Sequence, residues 1–330
     1  MSARVLVSGA NGFVGSAVCL ALLRHGYAVR ALARPTSDTA SLEEMDVELV
    51  RGDLLDPPSL QRALEGCEGL FHVAADYRLW ARDANEIRMT NVRGTRNILA
   101  AARNCGVDRI VHTSSVATLG LYDDGTPSDE DVPAHYADMI GEYKRSKYLA
   151  EKMARRRARG GQDIVVVNPS APVGPRDRKP TPTGQMILDA ARGKMPAYVD
   201  TGLNIVHVDD VAEGHVLAYQ RGERGRRYIL GGENMSLREI LGTIAELTGH
   251  SAPRVRLPHG ALLPVAHAAE AWARVSDRAP RITVAALKLS RHKMYFTSHR
   301  AETELGYHAR PAQEALADAI QWFRDNGYCD

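Results

Sequence analysis

Residues 4–15 read RVLVSGANGFVG, and this stretch decides the fold. A short β-branched run over Arg4–Ser8 is followed at once by three glycines spaced three residues apart. An apolar run over Phe13–His25 comes next. The first run is typical of a buried strand and the second of a helix, so the glycines fall in the turn between them. The sequence therefore predicts a strand, a glycine turn and a helix within its first 25 residues.

The first half of the chain continues this alternation of strand and helix. Strand-like runs are predicted at 27–33, 47–51, 69–74, 108–115 and 163–167, and helices at 84–104 and 142–157. Another helix begins after Asp56, with Asp56 as its cap and Pro57 in its first turn. Strands this apolar are covered by helices on both faces. The sequence therefore predicts an α/β fold with a Rossmann-type, doubly wound parallel sheet.

The three glycines of the first turn have different tasks. Gly9 permits the tight turn, Gly12 lets the backbone approach a pyrophosphate, and Gly15 lets the helix pack against the strand. The spacing is GxxGxxG rather than GxGxxG. Because the motif directly follows a strand, it favours a dinucleotide-binding site over a purely structural turn.

The end of the second strand indicates which dinucleotide binds. NAD is usually held there by an acidic side chain, but this strand ends ALAR, with Arg34 and no carboxylate. A guanidinium pairs well with a 2′-phosphate, so Arg34 favours NADP(H). NAD(H) stays open, because Arg34 can also be a solvated surface arginine. Asp53, after the third strand, is either an acceptor for the adenine amino group or a turn aspartate.

The second half of the chain does not alternate regularly between strand and helix patterns. Residues 169–183 contain five prolines and are predicted to be irregular. Short strands follow at 204–208 and 227–230, a capping box over residues 236–239 opens a helix, and residues 312–326 form an amphipathic helix. We expect an NADP(H)-binding Rossmann domain over residues 1–169, with added segments near 203–232. Residues 170–202 and 233–330 form a smaller, partly interleaved substrate-binding domain.

A reactive centre is predicted after the fifth strand, where Ser114 and Ser115 precede the helix that contains Tyr143 and Lys147. Tyr143 and Lys147 are four residues apart and therefore share one helix face. A lysine ammonium on that face favours tyrosinate, so Tyr143 can act as acid or base while Ser115 orients a carbonyl. This pattern predicts hydride transfer between a nicotinamide and a carbonyl or secondary alcohol.

Other residues offer competing interpretations. Tyr148 and Lys152 repeat the same spacing on another helix face, and a Tyr–Lys pair can also be an ordinary surface pair. His72, His112 and His207 lie near strand ends without the spacing of zinc ligands, so we expect them in packing roles and predict no metal site. Substrate contacts are expected after the fourth strand, from Asp76, Tyr77, Trp80 and Arg82.

The composition excludes several classes of protein. Of the 330 residues, 44% are hydrophobic and 25% charged, which excludes a disordered, collagen-like or disulfide-scaffold chain. No apolar stretch is long enough to span a bilayer, and the N-terminus has no signal-peptide layout. The four scattered cysteines are expected to be reduced thiols, so we expect a cytoplasmic protein. A net charge of +2 gives no reason to expect a nucleic-acid partner.

The motifs together resemble the extended short-chain dehydrogenases/reductases of the NAD-dependent epimerase/dehydratase superfamily. They cover nearly the whole chain in that family's order. The phase YxxSKxxAE of the family selects Tyr143 over Tyr148, and the run after its serine selects Ser115 over Ser114. The matching segments are GANGFVG at 9–15, GDLLD at 52–56, FHVAA at 71–75, NVRGTRNILAAA at 91–102, HTSSVATLG at 112–120, YKRSKYLAE at 143–151, NPSAPVGP at 168–175 and VHVDDVA at 206–212.

Within the superfamily, the chain resembles the dihydroflavonol-4-reductase-like branch, with the greatest likeness to the bacterial hopanoid-associated sugar epimerase group. The segments that carry this likeness are VRALAR at 29–34, FHVAADYRLW at 71–80, VHVDDVAEGHVLA at 206–218 and RHKMYFTSHRAETELGY at 291–307. Two departures from the family bear on the substrate. Asn168 replaces the usual arginine, and Thr118-Leu119-Gly120 replaces the usual Val-Tyr-Gly. Both speak against a nucleotide sugar.

The resemblance also implies roles for matched positions. It places the pyrophosphate at Gly9, Asn11, Gly12, Phe13 and Val14. It places adenine at Asp53 and Leu54, ribose at Ala74 and Ala75, and nicotinamide at Pro169 and Ser170, while Tyr143 and Lys147 also contact the cofactor. Asn91 is either a helix-packing amide or part of a water relay.

Three functions stay open at this point. The first is an NADP(H)-dependent reductase or dehydrogenase, and the second is a sugar or nucleotide-sugar epimerase or dehydratase that reuses its bound cofactor. The third is a non-enzymatic dinucleotide sensor, against which the intact Ser115, Tyr143 and Lys147 speak. A small-molecule substrate is expected in the first two cases, and a homodimer is one expectation for the assembly.

Overall fold

The computed structural model describes residues 2–329 except residues 79, 82, 123, 277–279 and 281–282. Arg82, one of the predicted substrate contacts, therefore lies outside the described residues. Within the described ranges, no helix has the length and apolar character needed to cross a membrane. Among the same residues, no three His, Cys, Asp or Glu side chains converge as metal ligands would.

The described residues alternate between strands and helices in the first half and mix them less regularly in the second. The strands are β1 (Arg4–Ser8), β2 (Ala28–Ala33), β3 (Val47–Arg51), β4 (Gly69–His72), β5 (Arg109–Thr113), β6 (Ile164–Pro169), β7 (Ala171–Val173), β8 (Ala197–Val199), β9 (Gly202–His207), β10 (Arg227–Leu230), β11 (Glu233–Ser236), β12 (Val255–Leu257) and β13 (Lys293–Met294). The helices are α1 (Phe13–Arg24), α2 (Pro57–Leu64), α3 (Ala84–Arg88), α4 (Gly94–Asn104), α5 (Gly141–Arg159), α6 (Pro182–Ala191), α7 (Val208–Arg221), α8 (Leu237–Thr248), α9 (His259–Ser276), α10 (Val284–Leu289), α11 (His299–Leu305) and α12 (Ala312–Asp325).

The large sheet has seven strands in the order β3-β2-β1-β4-β5-β6-β10, and each neighbouring pair is parallel. In this register Val5 of β1 lies between Val29 of β2 and Gly69 of β4. The strand order reverses between β1 and β4, and ligands of such sheets bind beyond the carboxyl ends of the strands at this point. The predicted α/β class with a Rossmann-type parallel sheet is confirmed.

Helices cover both faces of this sheet because the strand side chains alternate. Val5 and Val7 of β1 pack with α1 and α7 on one face, in a core that also contains Leu22. Leu6 points to the other face, into the core built with α2, α4 and α5 that includes Ile98. Each strand residue therefore contributes to one of two apolar layers, as the period of two requires.

A second, smaller sheet lies in the later part of the chain. It contains β11, β9 and β13, and β7 also pairs with β9. A separate two-stranded pairing joins β12 to β8. Helices α6, α8 and α12 enclose a third apolar core around Ile187, Ile240 and Phe323. Strand β10 pairs with β6, so residues 227–230 complete the large sheet from the second half of the sequence.

One local prediction was wrong, one holds with an irregularity inside the helix, and one was confirmed. The proline-rich stretch 169–183 is not wholly irregular, because β7 forms there. Pro172 fits this strand because β7 pairs with β9 alone among the described strands. The predicted helix 84–104 is interrupted by a π-helical turn over Met89–Arg93. The Ser236 capping box is present, with Glu239 N–H donating to the Ser236 hydroxyl at 3.2 Å.

The packing of Gly15 gives a stability test. A Cβ at Gly15 would overlap the Gly9 carbonyl, whereas a Cβ at Gly242, inside α8, would meet nothing within 4 Å. We expect Gly15→Ala to lower the free energy of unfolding by about 1–3 kcal/mol through overpacking. Gly242→Ala should raise it by about 0.5–1 kcal/mol, because alanine favours helix. Urea denaturation measures both, and a Gly15→Ala protein as stable as the wild type would contradict the tight turn.

Candidate active site

The glycine turn forms a cradle at the carboxyl end of β1. Gly9 has a φ of 69°, and a Cβ there would lie 2.7 Å from the Cα of Ala74. The Gly12 N–H closes the turn by donating to the Gly9 carbonyl at 2.9 Å. Helix α1 then begins at Phe13, and no side chain caps its first N–H groups in the described part of the chain. These groups can bind an anion, so the cradle fits a dinucleotide pyrophosphate.

The loop after β2 holds the residues beside this cradle. The Asn11 amide donates to the Asp38 carbonyl at 2.9 Å, and the Ser41 hydroxyl donates to the Asn11 carbonyl at 3.1 Å. Phe13 and Val14 are half-buried against the core under α1. The Asn11 side chain therefore fixes the loop, and direct contacts of these three residues with a pyrophosphate stay a prediction.

Two arginines stand at the carboxyl ends of β2 and β3. Arg34 is exposed directly after β2. Arg51 donates to the carbonyls of Arg34 and Ser37 at 3.1 and 3.3 Å and to the Thr39 hydroxyl at 3.4 Å. Arg51 thus shapes the loop that would surround an adenine ribose. Arg51 was not predicted as a site residue from the sequence. Its place as a basic residue at the end of the strand next to β2 could have indicated this role.

Asp53 and Leu54 follow β3 in a tight turn. The Asp53 carboxylate accepts the Leu55 N–H at 2.7 Å, which is the turn role considered for it. Leu54 is buried, and a Cβ on Gly94 would lie 2.9 Å from the Leu54 Cβ. The Leu54 carbonyl also accepts the Asn97 amide at 2.8 Å. The turn is rigid, and its contact with adenine stays a prediction.

Asn91 joins the segment after β4 to helix α5. Its amide donates to the Asp76 carbonyl and the Ser146 hydroxyl, both at 2.9 Å, and its oxygen accepts the Asp76 N–H at 2.7 Å. These bonds match the packing interpretation of Asn91 rather than the water relay. On the other side of the segment, the Ala74 N–H donates to the Ser8 hydroxyl at 3.2 Å.

The predicted substrate contacts after β4 have different surroundings. Asp76 is engaged by the Arg78 guanidinium through both carboxylate oxygens, at 2.6 to 3.1 Å. Tyr77 is 43% exposed, and burial of its ring together with nearby Asp177 raises its pKa. Trp80 and Ala75 are half-buried. Asp76 therefore organises this loop, and Tyr77 is partly open to solvent.

Tyr143 and Lys147 lie on the face of α5 that meets the end of β5. The buried Lys147 ammonium donates to the Thr113 carbonyl at 2.7 Å. Burial lowers the pKa of Lys147 to about 8, against the effect of Glu151. Burial raises the pKa of Tyr143, and a hydrogen bond with the Ser115 side chain opposes this rise. The structure thus brings the three predicted residues together and keeps the phenol protonated at neutral pH.

The competing Tyr148–Lys152 pair has other contacts. The Tyr148 hydroxyl donates to the Ala134 carbonyl at 3.3 Å, and its ring lies 6.3 Å from the ring of Tyr136. Lys152 is exposed. No contact of either residue with Ser115 exists among the described residues, so the structure favours Tyr143 as the tyrosine of the site.

Glu151 is a buried carboxylate next to the turn that contains Ser114 and Ser115. One of its oxygens accepts the Ser114 hydroxyl at 2.5 Å, the Thr118 hydroxyl at 2.6 Å and the Asn168 amide at 2.9 Å. Its other oxygen pairs with Arg227 at 3.2 Å. A buried charge is tolerated when it is paired and hydrogen-bonded in this way. The sequence analysis matched Glu151 only as part of the family motif and gave it no role.

Asn168, at the end of β6, extends this network to the serine. Its amide donates to the Ser115 carbonyl at 3.0 Å. Pro169 ends the strand, and the Ser170 N–H donates to the Leu230 carbonyl at 3.2 Å. The Ser170 hydroxyl is buried and has no hydrogen-bond partner among the described residues. A polar atom of this kind fits a place beside a bound cofactor.

The three histidines match their predicted packing roles. His72 lies between the hydroxyls of Ser8 and Thr95, at 2.8 and 3.0 Å. The His112 ring stacks 5.3 Å from it, and burial keeps the pKa of both rings low, that of His72 at about 3. His207 accepts the Asp209 N–H at 3.0 Å and so caps α7. The rings near Lys147 are thus neutral.

The profile of the NAD dependent epimerase/dehydratase family matches residues 5–231. This range contains the glycine cradle, the Ser115 turn and the Tyr143–Lys147 face. The chain belongs to this family. It is accordingly an NAD(P)-dependent enzyme of the extended short-chain dehydrogenase/reductase superfamily.

Named relatives match over nearly the full length of the chain. One relative is a protein of Synechocystis sp. that is provisionally named dihydroflavonol 4-reductase. It is 47% identical to this chain over 326 residues, which cover 98% of this chain and 95% of that protein. Sterol demethylase protein B of Methylococcus capsulatus is 37% identical over 324 residues, with 98% of each chain covered. These relatives agree with the expected dihydroflavonol-4-reductase-like branch.

Solved structures agree in the whole fold. The crystal structure of gox2253 superposes with a TM-score of 0.90 at 52% identity and covers 99% of both chains. A dTDP-glucose 4,6-dehydratase of Streptomyces venezuelae, solved with NAD bound, has a TM-score of 0.79 at 25% identity and also covers 99% of both chains. A nicotinamide dinucleotide is therefore the cofactor of this family member.

Lys144, next to Tyr143, is a second buried lysine that the sequence analysis missed. It is 9% exposed, and its ammonium has no hydrogen bond or ion pair with any described residue. Burial lowers its pKa to about 8 from 10.5. Below about pH 8 the folded and unfolded chains both carry this proton, so folding bears the cost of partly desolvating the charge. Between about 8 and 10.5 only the unfolded chain keeps it, so the cost fades as pH rises.

This difference predicts a stabilising substitution. Lys144→Met should raise the free energy of unfolding at pH 7 by about 1–3 kcal/mol, because it removes a buried charge without losing a hydrogen bond. The gain should vanish as pH approaches 10.5. Lys152→Met, on the exposed side of the same helix, is the matched control and should show no pH-dependent gain. Denaturant titrations across this pH range measure the effect, and a gain that is constant with pH would refute the buried charge.

Proposed function

We propose that the protein is an NADP(H)-dependent oxidoreductase that transfers a hydride between nicotinamide and a carbonyl or secondary alcohol of a small molecule. The observation that carries the proposal is the buried Lys147 ammonium, which is fixed on the Thr113 carbonyl one turn along α5 from the buried Tyr143 phenol. The reductase name of the 47% identical relative supports the same reaction class.

The residues of the centre divide the proton chemistry. The nicotinamide, when bound, supplies or accepts the hydride at its C4 atom. The Ser115 hydroxyl holds the carbonyl oxygen of the substrate. The Tyr143 phenol gives its proton to that oxygen during reduction and takes one back during oxidation. The Lys147 ammonium stabilises the phenolate that remains, and its bond to Thr113 keeps it in place.

Other residues would position the cofactor. In this proposal the cradle of Gly9 and Gly12 holds the pyrophosphate, and the turn of Asp53 and Leu54 flanks adenine. The ribose side is lined by Ala74 and Ala75, with Pro169 and Ser170 beside nicotinamide. Tyr143 and Lys147 also reach the nicotinamide ribose, so they serve both binding and chemistry.

The preference for NADP(H) is the finer part of the proposal. Arg34 is exposed at the strand end where NAD-binding folds usually have a carboxylate, and Arg51 shapes the loop around it. A 2′-phosphate there would gain a charge-assisted contact worth about 1.5–3 kcal/mol. That range corresponds to a roughly 10–150-fold difference in affinity.

A sugar or nucleotide-sugar epimerase or dehydratase is the second candidate, because it would use the same three residues. The dTDP-glucose 4,6-dehydratase with NAD bound supports it by overall similarity. Net cofactor turnover separates the candidates. We expect NADPH to be oxidised with a hydrophobic ketone such as a dihydroflavonol and not with UDP-glucose. Conversion of UDP-glucose without loss of NADPH would support the epimerase, and cofactor binding without any turnover would support a sensor.

Tyr143→Phe tests the proposed acid–base group. It removes one hydroxyl and should lower kcat by roughly 10²–10⁴-fold, the usual contribution of a positioned acid–base group. Tyr148→Phe removes a hydroxyl from the same helix and should leave kcat within about threefold of the wild type. Steady-state NADPH oxidation measures both variants. Near-wild-type turnover in Tyr143→Phe would refute the assignment, and an equal loss in both variants would place the base elsewhere.

Arg34→Ala tests the cofactor preference. The wild type should bind NADPH more tightly than NADH by roughly 10–150-fold, and the substitution should narrow this ratio. Arg24→Ala is the control, because it removes the same charge from an exposed site at the far end of α1. Calorimetry at fixed salt gives both affinities, since salt screens exposed contacts. Equal wild-type affinities, or a ratio unchanged by Arg34→Ala, would contradict the proposal.

A further inference from the structure

Helix α9 carries an apolar face that nothing in the described part of the chain covers. Val265, Trp272 and Val275 are 52%, 69% and 79% exposed. Ala261 and Ala268 are also exposed and complete the set. Positions 261, 265, 268, 272 and 275 are spaced by four and three residues, so they lie on one side of the helix. We call these five residues the α9 face.

The inward side of α9 is already occupied. Ala266 and Ala273 are buried, and α9 packs against α10. The Glu270 carboxylate accepts the Val284 N–H at the start of α10, at 2.7 Å. The helix therefore directs its acidic group inward and its largest apolar side chains outward. An ordinary surface helix does the reverse, and an exposed apolar patch of this kind marks a docking surface.

The charge of the segment that contains α9 indicates which kind of partner the α9 face would bind. Residues 251–293 contain eight Arg or Lys and two Asp or Glu, a net charge of 8 − 2 = +6. The whole chain carries +2, so the remaining residues sum to 2 − 6 = −4. Among the described residues of this segment, the exposed cations are Arg254, Arg256, Lys288, Arg291 and Lys293. Arg256 pairs with Asp200 at 3.1 Å on the open surface, where such a pair is weak.

An exposed apolar helix face within a strongly basic segment of the chain fits an anionic lipid surface. The apolar side chains enter the boundary between headgroups and acyl chains, tryptophan favours that depth, and the cations attract the anionic headgroups. A second copy of the chain fits less well, because pairing two α9 faces would bring two +6 segments together.

Helix α10, which packs against α9, lies close to the start of α5. A Cβ on Gly141 would lie 3.5 Å from the Cβ of Ala285 in α10. Gly141 begins α5, two residues before Tyr143. Helix α10 therefore lies beside the N-terminus of the helix that carries Tyr143.

We propose that the α9 face docks the protein on an anionic lipid membrane. The helix lies in the plane of the membrane surface with Trp272 among the headgroups, and it does not span the bilayer. The proposal does not depend on the reaction that the enzyme catalyses.

Vesicle sedimentation tests the proposal directly. We expect the protein to sediment with vesicles of phosphatidylcholine and phosphatidylglycerol, and about tenfold less with phosphatidylcholine alone. Raised salt should weaken the binding, because it screens the headgroup attraction. Tryptophan fluorescence should shift to the blue with the anionic vesicles, and Trp272→Phe should abolish that shift. Absence of binding to anionic vesicles at low salt would overturn the proposal.

A paired variant identifies the surface responsible. Trp272→Gln combined with Val275→Gln should weaken partitioning by about tenfold or more, because it removes the two most exposed apolar side chains. Leu49→Gln, at another exposed apolar position on β3, is the control and should bind vesicles as the wild type does. Unchanged NADPH affinity in both proteins shows that they are folded.

Two further results would overturn the proposal. The first is vesicle binding that the double variant does not weaken. The second is a lipid-free dimer, seen by sedimentation velocity, that the double variant dissociates, because the α9 face would then join two copies of the chain. Neither result bears on Tyr143 or Arg34, so failure here is distinct from failure of the proposed reaction.

Discussion

The candidate site depends on the hydrogen bonds and the ion pair that the buried Glu151 carboxylate forms. This carboxylate joins α5 to the end of β5 through Ser114, to the following turn through Thr118, to β6 through Asn168 and to β10 through Arg227. An uncompensated charge at this depth would be strongly destabilising, so these donors must stay in place together. The same bonds set where Ser115 lies relative to α5. The geometry of the reactive serine is therefore a consequence of core electrostatics.

Around this carboxylate, the charges of the site are arranged by burial. Lys147 is desolvated, which lowers its pKa, yet its ammonium keeps the Thr113 carbonyl as a partner. The neighbouring His72 and His112 are kept neutral, partly because Lys147 is itself positive. Neither of these two histidines therefore adds a positive charge beside Lys147. The proposed proton transfer requires a cation that stabilises a phenolate at Tyr143, and Lys147 is the residue to which we assign this role.

The sequence predicted the parts of the fold that local pattern controls. Apolar runs between helices predicted the parallel sheet, and the glycine spacing predicted the turn after β1. The four-residue spacing predicted that Tyr143 and Lys147 share one helix face. Contacts between distant residues were not predictable in this way. Arg51 acts on a loop about 14 residues earlier, and Glu151 meets Arg227 across 76 positions. Strand β7 was not predicted because prolines usually interrupt strands. A proline is tolerated there because β7, which pairs with β9, has an edge position that only the folded structure shows.

The departure at Asn168 bears on the substrate through the same network. A family arginine at this position would add a cation near the nicotinamide side of the site. Here the Asn168 amide is used by the Ser115 carbonyl, the Thr118 hydroxyl and the Glu151 carboxylate. An amide bound in this way has no donor left for the phosphates of a nucleotide sugar, and it carries no charge to attract them. The position therefore serves the serine rather than the substrate. This supports the proposed carbonyl substrate over a nucleotide sugar.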